Sequence, residues 1–125
     1  GELRMTDFAT VIHCAFENAA PKGTPAVVAI VKINVEGDPE DNLNVVYEKT
    51  NTIDKVWWEN EGVLPIFRKK GCRSTSIGDI IKINNDFWTV ASFGFDKLDG
   101  VPIEWHLARE RRAHARLKEW QDVRN

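Results

Sequence analysis

The chain has 125 residues, 42% apolar and 29% charged, with a net charge of −2. That length suits one domain able to bury roughly two thirds of its unfolded surface, and the composition excludes wholesale disorder, a surface built throughout for nucleic acid, and a strongly acidic mimic of DNA. The longest apolar run, Ala26 to Val31, is strand-sized, and no basic segment leads an apolar core as in a signal peptide, so a cytoplasmic location is expected.

Gly1 to Arg4 precede Met5, the expected natural start, and are left out of the fold reading. Phe8 to Phe16 fits a helical stripe (Phe8, Val11, Ile12, Ala15) and also a strand alternation (Phe8, Thr10, Ile12, Cys14, Phe16). A strand is favoured because Pro21, Gly23 and Pro25 would then form the loop of a long hairpin into Ala26 to Val35. The latter is apolar on both faces in its first half, which suits the middle of a sheet. Asp38-Pro39-Glu40-Asp41 opens a helix, with a capping carboxylate, proline at the first position and acids facing the dipole. Leu43, Val46, Tyr47 and Thr50 continue it at helical spacing, giving one packed helix from Asp38 to Asn51.

Trp57 and Trp58 follow. Adjacent tryptophans cannot both point inward from a regular element. Burying one is worth at most roughly 4 to 6 kcal/mol, so one belongs to the core. The other can close a pocket, meet a partner, or lie under the loop from Glu61 to Lys70. Cys14 and Cys72 are expected as free thiols. Lys69, Lys70 and Arg73 around Cys72 would lower a thiol's pKa, but no histidine is near in sequence to act as a base, so Cys72 reads as a half-buried loop thiol.

The centre of the sequence is Arg73 to Phe95. Ile77, Ile80, Ile81 and Ile83 make one strand, and Phe87, Trp88, Val90, Ala91 and Phe93 the next, with Asn84-Asn85-Asp86 between them as a hairpin turn. Gly78-Asp79 reads as a tight turn into the sheet, and Gly94 as a bulge or close approach. Arg73-Ser74-Thr75-Ser76 is rich in hydroxyls that bond to nearby backbone, which favours an ordered loop. This run resembles the core signature of YodL-like domains, small modules of phage, plasmid and integrative-element proteins. Arg73, Ser74, Ser76, Ile77, Asp79, Ser92, Phe93, Gly94 and Phe95 carry the match, over about a fifth of the chain. The resemblance implies a mobile-element origin and a partner-binding role without an agreed chemistry.

Lys97 to Pro102 turns the chain into a final helix, Ile103 to about Val123, whose thin apolar stripe suggests that it projects or leans on a second copy of the chain. Arg109, Arg111, Arg112, Arg116 and Lys118 there face one acid, Glu110; a solvated face is the ordinary reading and phosphate contact the sharper one. His106, Glu110 and His114 share a side, but no fourth ligand is evident, so no metal or other cofactor is expected. Asp38, Glu40 and Asp41 do capping work, and no phosphate loop, nucleophile elbow or paired-cysteine motif is present.

The sequence therefore predicts a single α+β domain: a mostly antiparallel sheet of four to five strands, one packed helix and a charged C-terminal helix. The expected function is a non-enzymatic protein-protein interaction module, with Trp57, Trp58, Arg73, Ser74, Ser76, Phe93 and Phe95 at the contact surface. The alternative is nucleic-acid binding through Arg109, Arg111, Arg112, Arg116 and Lys118, with the aromatic hairpin face stacking bases.

Overall fold

The computed structural model describes residues 8–13, 26–34, 36–66, 71–99, 115–116 and 118. Among the described residues six strands form one antiparallel sheet: β1 (Phe8–His13), β2 (Ala26–Lys32), β3 (Val63–Pro65), β4 (Ile80–Ile83), β5 (Asp86–Val90) and β6 (Phe95–Leu98), in the order β3-β2-β1-β4-β5-β6. One helix, α1 (Pro39–Thr50), and a single 3-10 turn at Trp57–Glu59 connect β2 to β3. The protein is thus α+β and mostly sheet.

The sheet exceeds the predicted four to five strands because two short strands carry little pattern. β3 is three residues long and ends in a proline, tolerable only at an edge, where its N–H is not required. β6, Phe-Asp-Lys-Leu, has two exposed and two half-buried residues and falls where sequence reasoning places a turn. Two strand limits also differ. Ile77 lies before β4 and is 56% exposed, and β5 stops at Val90, so Ala91, Ser92 and Phe93 belong to the turn into β6. Cys14, Phe16, the expected Pro21–Pro25 loop and most of the expected final helix, including His106, Arg109, Glu110, Arg111, Arg112 and His114, lie outside the described residues. Arg116 and Lys118 are helical and exposed.

The helix begins where its caps dictate. Asp38 Oδ1 accepts from the Glu40 N–H at 2.9 Å, Pro39 occupies the first helical position, and Lys49 lies in the last turn. Leu43 and Val46 are buried against Ala9, Val11, Val31, Ile81, Ile83 and Val90 on one face of the sheet. The opposite face is also buried, at Phe8, Ile12, Ile30, Leu64 and Phe87. Burial on both faces is why β2 reads as the unbroken apolar run Ala26 to Val31. Val11 pairs with Ala29 and Ile12 with Val27, so Val28 is an extra residue in a β-bulge, and Val28 and Ala29 both reach the helix-side core. The β4–β5 hairpin turns on Asn84-Asn85. Asn84 adopts a positive φ of 56°, which asparagine accepts more readily than other residues with a side chain.

Candidate functional site

The Arg73–Ser76 loop is ordered by a buried polar knot. Asp79 is fully buried, and both its oxygens face the Arg73 guanidinium, at 2.6 Å from Nη1 and 2.8 Å from Nη2. Asp79 Oδ2 also accepts from the Ser76 N–H at 2.8 Å. This paired, hydrogen-bonded geometry is what makes a buried carboxylate tolerable. The Asp79 N–H donates to Ser76 O across a turn whose third residue, Gly78, has φ +94°, a conformation that residues with a Cβ rarely adopt. Gly78 N–H donates to Val90 O and Val90 N–H to Asp79 O, which ties the turn to the end of β5. Ile77, at the tip, is thereby held outward.

Thr75 is fully buried and fixed from three sides. Its N–H donates to Thr50 O at 3.0 Å, its carbonyl accepts from Asn51 Nδ2 at 2.8 Å, and its Oγ1 lies 3.0 Å from His13 Nε2. Trp57 Nε1 donates to the carbonyls of Cys72 and Arg73 at 3.0 and 3.1 Å. The loop is thus bound to the end of α1, to the 3-10 turn and to β1.

The structure brings Cys72 to His13, 59 residues away in sequence: Sγ lies 3.6 Å from Nδ1, while His13 Nε2 is 3.8 Å from Asp79 Oδ2. Nucleophile, imidazole and carboxylate in series suggest acyl-transfer chemistry. The electrostatics point elsewhere. Burial pushes His13 down to about 4, against the opposing pull of Asp79, and Arg73 adds to the fall. Burial pushes the Cys72 thiol up to about 11, with Arg73 opposing and Asp79 reinforcing. At neutral pH the pair is therefore a thiol and an uncharged imidazole. The His13 side chain has no exposed surface. A thiol donating to Nδ1 leaves Nε2 protonated to donate to Thr75 Oγ1, which satisfies both ring nitrogens. The pair thereby ties β1 to the Cys72–Ser76 loop.

The exposed features lie beyond this knot, where α1 leaves β5 and β6 partly uncovered. An open groove of about 410 Å³ runs between the start of α1, at Asp38, Glu40 and Leu43, and Trp88, Phe93 and Phe95. A second lobe of about 220 Å³ continues past Phe95 along Tyr47, Ile77 and Val90. Tyr47 and Phe95 meet edge to face at 6.3 Å between the lobes. Phe93 is 95% exposed at the tip of the β5–β6 turn. That turn is fixed by the Ala91 N–H donating to Gly94 O at 3.0 Å and by Gly94 at φ +72°.

The predicted contact residues therefore separate. Trp57 is 2% exposed and belongs to the core, not to the surface. Trp58 is half-buried and stacks edge-on against Trp57 at 5.6 Å. Arg73, Ser74 and Ser76 are partly buried in the knot, and Phe93 and Phe95 flank the groove. Sequence reasoning missed His13, Thr75, Asp79 as the hub of the knot, and Trp88 as a groove wall. Only Asp79 carried a signal, as an acid beside a turn glycine before an apolar strand. Among the described residues no three His, Cys, Asp or Glu side chains gather as a metal site, and no helix is long and apolar enough to cross a membrane. Comparison of the chain with protein-family models, with curated proteins and with solved structures finds no match.

Proposed function

We propose that this chain is a non-enzymatic docking module that binds another protein through the groove between α1 and the β5–β6 turn. The observation that carries this reading is Phe93, almost wholly exposed on a turn closed by a backbone hydrogen bond, beside half-buried Trp88 and Phe95. A large aromatic side chain held in solvent next to an apolar groove is a usual mark of an interaction surface, and aromatic anchors carry most of the binding energy at interfaces. The knot of Arg73, Ser74, Ser76 and Asp79 contributes by holding Ile77 at the groove's second lobe, so these residues act through the turn. The likeness of Arg73–Phe95 to YodL-like domains agrees with this division, since its matching residues fall on the knot and the turn. It also supports a phage or mobile-element origin and a cytoplasmic setting. The neutral state of the Cys72–His13 pair, with the His13 side chain fully buried, favours binding over catalysis.

The test is affinity capture from bacterial lysate with nuclease present, comparing the wild-type chain with Phe93→Asp. A protein retained by the wild type and lost by the variant, at unchanged melting temperature, is the expected result. Identical captured sets would refute the groove as the contact surface. Nucleic acid that co-elutes without nuclease, and disappears when Arg109, Arg111, Arg112, Arg116 and Lys118 are reversed in charge, would replace docking with nucleic-acid binding.

A further inference from the structure

We infer that the occupant of this groove is a basic peptide segment of a partner protein, with an arginine or lysine side chain in the larger lobe and an apolar side chain in the smaller. The inference rests on the docking reading above and assigns the partner's chemistry. The larger lobe combines the carboxylates of Asp38 and Glu40 with the rings of Trp88, Phe93 and Phe95. Carboxylates beside aromatic faces suit a cation on a long apolar stem: the charge pairs with the acids while the stem and the planar or ammonium head lie against the rings.

The protein already shows that a cation sits on one of these rings. Lys97 Nζ lies 5.9 Å from the centre of Trp88, steadied by Asp86 at 3.6 Å. Asp38 uses one oxygen to cap α1, and among the described residues neither Asp38 nor Glu40 has an ion pair. Asp38 and Glu40 bring two negative charges to the lobe, while Asp86 and Lys97 offset one another, so the described rim is net negative. Acidic peptides and nucleic acid are repelled there. The smaller lobe is walled by Tyr47, Ile77 and Val90, and none of its described lining residues is charged. Gly94 and Phe95 line both lobes, so the two lie within reach of nearby side chains on one extended segment.

Three hexapeptides test this: one alternating leucine with arginine, one with glutamate replacing arginine, and one with glutamine. Binding to the full chain is followed by backbone amide shifts of Phe93 and Gly94 and by the indole signal of Trp88. The arginine peptide is expected to shift these signals and to bind at least about tenfold more tightly than the other two, with an affinity that falls as salt rises. Asp38→Asn/Glu40→Gln should remove that preference and leave folding intact, because asparagine caps a helix as well as aspartate does. Phe93→Ala should weaken every peptide. Equal binding of all three peptides at the groove would overturn the basic occupant while docking stands. Absence of groove shifts with any peptide would overturn both, and concentration-dependent groove shifts without peptide would assign the surface to a second copy.

Discussion

Lowering the pH tests the buried knot directly, through His13. Its side chain has no exposed surface, and its pKa falls from the ordinary 6.5 to about 4, mainly because burial opposes charge. Asp79 pulls the other way, while Arg73 reinforces the fall. Between those two values the unfolded chain binds a proton that the folded chain refuses. The stability attached to the neutral ring is therefore fully present above about pH 6.5, is lost progressively as the pH falls to about 4, and changes little below that. The gap corresponds to about 3 kcal/mol, a large part of the 5–15 kcal/mol typical of a domain. Urea unfolding at a series of pH values from 7.5 to 4 would measure it. Surface carboxylates also titrate near the acid end, so the diagnostic quantity is the difference in slope between the wild type and His13→Gln, which can keep a nitrogen near Thr75. The wild-type curve should fall more steeply by about 3 kcal/mol in total. Parallel curves would refute the account of His13 as a buried neutral ring.

Three further outcomes follow from the same geometry. Arg73→Met leaves the Asp79 carboxylate buried without its guanidinium partner and should cost about 3–5 kcal/mol, whereas Arg73→Met/Asp79→Leu should recover much of that loss; a double-mutant cycle in urea showing no coupling would contradict the pairing. Gly94→Ala meets no atom within 4 Å of the added carbon, so its cost is that of the left-handed backbone alone, about 1–2 kcal/mol, read from thermal unfolding. In a Cys14→Ser background, Cys72 should react with a soluble disulfide reagent at pH 8 about tenfold more slowly than an ordinary exposed thiol, because a pKa near 11 cuts the thiolate fraction about 100-fold while the thiolate that remains is the stronger nucleophile. Labelling at the rate of a free cysteine would show that the thiol is not held protonated.

The features legible in sequence were those whose cause is local. Asp38 and Pro39 announce the start of α1 because capping and fixed φ act within four residues. Asn84-Asn85 announces a hairpin for the same reason, and the both-sided apolar run at Val27–Val31 announces an interior strand. Paired tryptophans required one core member, and packing selects Trp57 because its indole N–H finds the Cys72 and Arg73 carbonyls. What escaped is set by register across distant segments. Nothing in Cys72's neighbourhood points to His13, since their meeting depends on the pairing of β1 with β4. The hydroxyls of Arg73–Ser76 suggested a surface loop, yet Thr75 is sealed by partners from β1, α1 and Asn51. The groove needed β6, whose exposed Asp96 and Lys97 gave no strand alternation to detect.

The sheet order has a kinetic consequence. β4, β5 and β6 form a meander of successive hairpins, so their pairings close short loops. The seam between β1 and β4 instead sets Ala9 opposite Ile83 and Ile12 opposite Ile80, joining segments distant in sequence. Closing such a seam spends chain entropy before any contact repays it, which makes it the natural slow step of folding. The His13–Thr75 hydrogen bond links the segments on either side of that seam, whereas the Phe93 turn belongs to the fast meander. Substitutions at His13 are therefore expected to slow folding, and substitutions at Gly94 to act mainly on the locally formed half. The turn that presents Phe93 is built from neighbouring contacts and can form before the two halves of the sheet have met.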